Sequence, residues 1–292
     1  MADIELIQVP YDSGHRGRRM GRGPLHLVDS GLPAALGDRG HDVRIHGVEL
    51  DEALPTENAA AFEIARLLSD RARRNREAGR LPIVLAGNCN TCLGTVAGLD
   101  GGDSIGVVWF DAHGDLNSPD TSASGFLDGM ALATLTGRCW RSAVERIPGF
   151  AAVPDAHVVL IGARDLDPGE ERLLAGSEIE RIGADEVRER GVEAVLGPAL
   201  ERLAGRVDGV YVHVDLDVLD AAEATANAFA APDGLRLEEL LACVEAISAR
   251  SPILAGALSA YDPDFDADGR ALAAAFEIVE RLANVAGRRR AG

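Results

Sequence analysis

The chain has 292 residues, of which 47% are hydrophobic and only 4% aromatic, and a net charge of −18 at pH 7 with every basic residue an arginine. Such acidity repels phosphate and argues against nucleic-acid or anionic-membrane partners, and the lack of lysine excludes Schiff-base and P-loop chemistry. Four cysteines are too few for a disulfide scaffold, no apolar run reaches the roughly 18 residues of a membrane span, and the opening MADIELIQVP has no secretory pattern, so a cytoplasmic protein is expected.

Taken in order, the apolar pattern predicts strands at Ile4–Val9 and Val43–Val48, a helix at Glu57–Gly79, a strand at Pro82–Ala86 and a helix at Cys92–Leu99. A strand at Ile105–Phe110, a helix at Gly129–Thr136, a strand at His157–Gly162 and a helix at Gly169–Ala175 follow. The remainder reads as strand Ile179–Ile182, helix Ala184–Leu203, strand Val210–Val214, helix Leu237–Ala249, strand Ile253–Leu258 and helix Arg270–Ala286. Helices alternating with continuous apolar strands predict βαβ units and a parallel sheet covered on both faces. The expectation is one α/β domain over residues 1–292, a three-layer αβα sandwich, with Arg288–Arg290 a solvated end.

Two strand ends carry the chemistry. Val107–Phe110 runs into Asp111, His113 and Asp115 at i, i+2 and i+4, which in extended chain share one face. Val210–Val214 runs into Asp215 and Asp217 at the same spacing. His213 shares their parity deeper in the strand and reads as a second partner or, preferably, as a core histidine. Open α/β sheets place their ligand crevice at such carboxyl ends. Carboxylates converging there repel, by about 4 kcal/mol per pair at 4 Å and an effective dielectric of 20. Protons or divalent cations relieve that cost, and oxygen-rich ligation with one imidazole suits Mn²⁺. The plain alternative is that the aspartates cap helices; a matched pair of cassettes favours metal.

Asp111–Asn117, DAHGDLN, resembles the DAHxDxN signature of the ureohydrolases, the arginases, agmatinases and formimidoylglutamases, and His213–Asp220 resembles their SxDxDxxDP motif with Ala221 at the Pro position. Gly21–Pro24 is similar to the family's early Gly-Pro turn. The resemblance implies an eight-stranded, mostly parallel sheet, two Mn²⁺ ions bridged by hydroxide, and hydrolysis of a guanidino or amidino C–N bond in a small molecule. It places Asp115 as the residue that holds the hydroxide and passes on its proton. It matches Asp167 and Glu170 to an α-amino group and Asn117, Ser122 and Ser124 to an α-carboxylate. A homo-oligomer, trimer or hexamer, also follows from it.

Three positions depart from the family pattern. Cys89 stands where GGDHS supplies a metal-binding His; it reads as a softer sixth ligand beside Asp111, His113, Asp115, Asp215 and Asp217, as an inert thiol, or with Cys92 as a redox C-x-x-C. Arginase-like enzymes acting on N-hydroxyarginine are similar in carrying Cys there. Asp128 stands where arginases have a proton-shuttling His, and reads as a catalytic acid or as the cap of the following helix. Ala260 or Tyr261 replaces the guanidinium-binding Glu, with Asp262 or Asp264 as nearby substitutes. The expected function is hydrolysis of a guanidino, N-hydroxyguanidino or related amidine C–N bond of an amino-acid-like substrate. The alternative is a catalytically altered, metal-binding regulatory relative.

Overall fold

The structure, a computed structural model, describes the backbone of residues 1–290 and side chains as far as residue 286. The chain runs β1 (Asp3–Val9), β2 (Tyr11–Asp12), β3 (His15–Arg16), α1 (Gly23–Asp29), α2 (Leu32–Asp38), β4 (Asp42–Gly47), α3 (Glu57–Glu77), β5 (Leu81–Ala86), α4 (Thr91–Gly98) and β6 (Ile105–Phe110). It continues through α5 (Ala131–Leu135), α6 (Arg141–Val144), β7 (Val158–Ile161), α7 (Pro168–Ala175), β8 (Glu180–Ile182), α8 (Ala184–Arg190), α9 (Val192–Ala204), β9 (Gly209–Asp215), α10 (Leu237–Arg250), β10 (Ile253–Ser259) and α11 (Arg270–Arg290).

Eight strands form one sheet in the order β4-β1-β5-β10-β9-β6-β7-β8. Every pairing in it is parallel, so the sheet is wholly rather than mostly parallel. Strands β5, β6 and β9 are buried at every residue, because alternate side chains enter two separate cores. Val108, Phe110, Val210, Val212 and Val214 join one core, and Ile105, Val107, Trp109 and Tyr211 join the other. This is the αβα layering read from the continuous apolar runs.

The departures are local. The helix expected over Ala184–Leu203 is two helices, because Gly191 takes φ 84 and breaks the ladder. The last helix reaches Arg290 rather than Ala286; the expectation of a solvated Arg288–Arg290 end concerns side chains outside the described residues. Helices α1, α2 and α6, and the small β2–β3 hairpin, carry too little periodicity to be read from the sequence.

A close backbone contact fixes the floor of the cleft. At Gly87, just after β5, a Cβ would lie 2.2 Å from the Tyr11 carbonyl oxygen and 2.8 Å from the Gly21 Cα. Only glycine lets these segments meet, and the contact locks the Gly87–Asn90 turn against the segment carrying Met20.

Candidate metal centre and substrate cleft

Three strand ends supply the candidate ligands. The turn after β5 buries Cys89, 2% exposed, whose Sγ donates to Asp215 Oδ2 at 3.1 Å and lies 3.2 Å from Ser259 Oγ at the end of β10. Asp215 is the last residue of β9, and its Oδ1 accepts from the Asp217 backbone N–H at 3.0 Å. Asp217 sits in the 3₁₀ turn Leu216–Val218 and accepts from the Ala112 N–H and from Asn227 Nδ2.

After β6, Asp111 accepts from Trp109 Nε1 at 3.0 Å and from the His113 backbone N–H at 2.7 Å. The His113 Nδ1 lies 3.2 Å from Asp111 and 3.6 Å from Asp217. Asp115 is 6% exposed, and its Oδ2 has no hydrogen-bond partner among the described residues. The chain here is not the extended segment the spacing implied: it bends after Phe110 and Asp115 takes φ 51. Asp111, His113 and Asp115 thus meet through a turn rather than through strand parity. Among the described residues, potential ligand atoms form two groups, Cys89 with Asp111 and Asp115, and Asp111 with His113 and Asp217, within 4.8 Å in each.

The electrostatics are those of carboxylates crowded without enough positive charge. Burial, then neighbouring carboxylates, pushes Asp115 and Asp215 well above the usual carboxylate range and raises Asp217. Burial would lower His113, but its hydrogen bond to Asp111 and the charges of Asp217 and Asp111 outweigh this and carry it up to about 9. Burial, with Asp128 and Asp215, holds the Cys89 thiol protonated, well above its ordinary range. Protons on these groups do the neutralising that cations can do. The buried Asp115 oxygen with no donor, the crowded aspartates and the O, N and S donor set together fit divalent cations.

The other candidate residues spread around this centre. Asn117 Nδ2 donates to Asp167 at 2.8 Å, and both line the cleft. Glu170 also lines it, but its two oxygens already accept from the Leu116 and Asp167 N–H groups, so it buttresses the loop and starts α7. Ser124 lines the cleft; Ser122 is not among the lining residues, and its Oγ accepts from the Gly125 N–H at 3.0 Å. Asp128 faces the cleft and is 6% exposed, yet it caps no helix. Its carboxylate instead accepts from Asn88 Nδ2 at 2.7 Å and from Asn90. Burial lifts it to about 8, against the pull of those donors.

Ala260 occupies the cleft wall, with φ 63. Tyr261 turns away to pair with Asp266, and Asp262 and Asp264 are absent from the lining, Asp264 pairing with Arg22. No carboxylate therefore takes the place of the missing Glu from that segment. Cys92 is a fully buried thiol beside the Ala131 carbonyl, and both it and Cys89 are free. His213 is wholly buried, as a core histidine is, but it also touches the centre through Ser259.

Met20, Phe126, Asp165, Asn227 and Phe229 also line the cleft and escaped the sequence analysis. Phe126 and Phe229 stack with centroids 5.9 Å apart, and Phe229 meets His113 edge-on at 6.3 Å. Their only sequence signal is an aromatic residue in a loop of an aromatic-poor chain.

A wholly parallel eight-stranded sheet whose central strand ends gather aspartates, one His and one Cys defines an α/β protein with a candidate metal centre at the carboxyl end of its sheet. Residues 2–284 match the Arginase family, and the chain belongs to that family. It is 30% identical to the arginase of Bacillus caldovelox, covering 97% of this chain and 98% of that one, and 30% identical to the arginase of Bacillus subtilis, covering 96% and 97%. The crystal structure of the Bacillus subtilis arginase superposes with a TM-score of 0.88 at 29% identity over 97% of this chain and 98% of that one. The Bacillus subtilis formimidoylglutamase, at 20% identity and a TM-score of 0.75 over 98% of this chain and 87% of that one, shares the fold.

Proposed function

We propose that this chain is a metal-dependent hydrolase of a guanidino-type C–N bond, acting on an amino-acid-like substrate whose side chain differs from that of L-arginine, with N-hydroxyguanidino compounds and other linear amidines the leading class. The carrying observation is that Asp111 stands within 4.8 Å of Cys89 and Asp115 on one side and of His113 and Asp217 on the other, beside a buried Asp115 oxygen with no donor among the described residues. Asp111, Asp115, Asp215, Asp217, His113 and Cys89 would hold two Mn²⁺ ions. Bound there, the ions would make water a competent nucleophile near neutral pH.

The chain's own groups supply the rest. Asp115 Oδ2, buried and without a donor among the described residues, would take and hand on a proton. Asp128 is held by Asn88 and Asn90 with its carboxyl toward the cleft, where it can serve the leaving group. Asp167, fixed by Asn117 and left exposed, is the carboxylate available to an α-amino group, and Ser124 stands near enough for an α-carboxylate. The cleft of about 300 Å³ suits a compound of amino-acid size. The net charge of −18 favours arrival of a cation.

The shift away from L-arginine rests on Ala260, which puts no carboxylate on the part of the wall that follows β10, and on Cys89 and Asp128. The test is a substrate panel with the Mn²⁺-loaded protein, following release of urea, hydroxyurea or ammonia from L-arginine, N-hydroxy-L-arginine, agmatine and N-formimidoyl-L-glutamate. Turnover of N-hydroxy-L-arginine above L-arginine is expected. Metal binding with no turnover of any compound would favour the regulatory alternative.

A further inference from the structure

Behind Cys89 lies a buried file of polar groups that the proposed chemistry does not use. Tyr211 OH is 2.8 Å from His213 Nδ1, His213 Nε2 is 3.1 Å from Ser259 Oγ, and Ser259 Oγ is 3.2 Å from Cys89 Sγ. All four residues are at most 2% exposed. The His213 ring is clamped by the Trp109 indole, stacked at 3.7 Å with 12° between planes.

The file has two possible polarities, and hydrogen-bond bookkeeping separates them. If His213 carried its proton on Nδ1, it would donate to Tyr211. The phenolic hydrogen, whose only partner among the described residues is that ring, would then be buried without an acceptor. Leaving such a donor unmade costs about 1–3 kcal/mol. If the proton is on Nε2, Tyr211 donates to Nδ1, Nε2 donates to Ser259 Oγ, and every group is satisfied. The Ser259 hydrogen is then directed away from His213, toward Cys89 Sγ or the Val214 carbonyl at 3.4 Å.

We infer that Ser259 is a positioning residue, aimed by His213 and Tyr211, that donates its O–H to the Cys89 sulfur when that sulfur binds metal. This rests on the proposed role of Cys89 as a ligand. A sulfur that ligates has given up its hydrogen, so its present donation to Asp215 Oδ2 is lost. The Ser259 hydrogen is the one the structure offers in exchange. Partners of this kind orient a ligand and tune its donor strength.

Cobalt(II) is the probe, because a thiolate bound to it gives a sulfur-to-metal charge-transfer band in the near ultraviolet. The parent protein is expected to show the band and Cys89→Ala to lose it. Ser259→Ala should move the band to longer wavelength, since an unbonded sulfur holds its electrons less tightly, and weaken Co²⁺ binding by about tenfold. Ser259→Thr, which keeps the hydroxyl, should restore both, and Tyr211→Phe should move the band in the same direction by less. A parent band unchanged in position and affinity in Ser259→Ala would overturn the inference and leave Cys89 as a ligand. No band in the parent with Co²⁺ bound would overturn both, leaving the aspartate site intact.

Discussion

Trp109 and His213 are register partners on neighbouring strands β6 and β9, and their rings stack at 3.7 Å. From that stack Trp109 Nε1 donates to Asp111, while His213 reaches Cys89 through Ser259. One aromatic pair thus ties together candidate ligands from two different strand ends. Trp109→Phe keeps an aromatic face on His213 but removes the donor to Asp111. Unfolding in urea is expected to lose about 1–3 kcal/mol, and Mn²⁺ affinity is expected to fall by about tenfold.

Ala260 supplies a second prediction. It lines the cleft at the end of β10 in a left-handed conformation, which a longer L side chain adopts at no greater backbone cost than alanine. Ala260→Glu returns a carboxylate to that wall. The ratio of kcat/KM for L-arginine to that for N-hydroxy-L-arginine is expected to rise by at least about tenfold, the value of one charge-assisted hydrogen bond. An unchanged ratio would mean that Ala260 does not set the substrate preference.

The sequence was most legible where the determinants are local. Eight apolar runs marked the eight sheet strands, and Asp111, His113, Asp115, Asp215 and Asp217 stood out because their spacing repeats at two strand ends. What joined them was not local. The bend after Phe110 and the φ of 51 at Asp115 have no signature in DAHGDLN, so strand parity is not what brings these side chains together. Asn227 and Phe229 come to the cleft from a distant segment, and only folding places the buried Ser259 beside a cysteine 170 positions away. Of the two readings of Asp128, the helix cap arose because the pattern put a helix at Gly129; α5 starts at Ala131, and the carboxylate is taken by Asn88 and Asn90.

A third prediction concerns acid stability at the far end of the sheet. Glu5, on β1, is 1% exposed and accepts hydrogen bonds from Arg71 and from Asn75, the latter at 2.6 Å. Burial alone would raise its carboxyl, but the Arg71 and Asn75 hydrogen bonds and the Arg71 charge outweigh burial and hold it below the ordinary range. A depressed folded-state value contributes stability above the unfolded value that disappears as pH falls through the folded one. Glu5→Gln should therefore cost about 1–3 kcal/mol near neutrality. Its stability should also fall less steeply than the parent's below the ordinary glutamate range, as read from urea midpoints across an acid pH series.

The most direct measurement is metal content per chain by elemental analysis, on protein purified without added metal and again after Mn²⁺ loading, in the parent, Asp111→Ala and Asp215→Ala. The shared position of Asp111 between the two ligand groups predicts about two ions per chain in the loaded parent. It also predicts a loss toward zero in Asp111→Ala, whereas Asp215→Ala should retain more. A loaded parent that holds no ion, or equal retention in parent and Asp111→Ala, would contradict the metal centre, and the hydrolytic function with it.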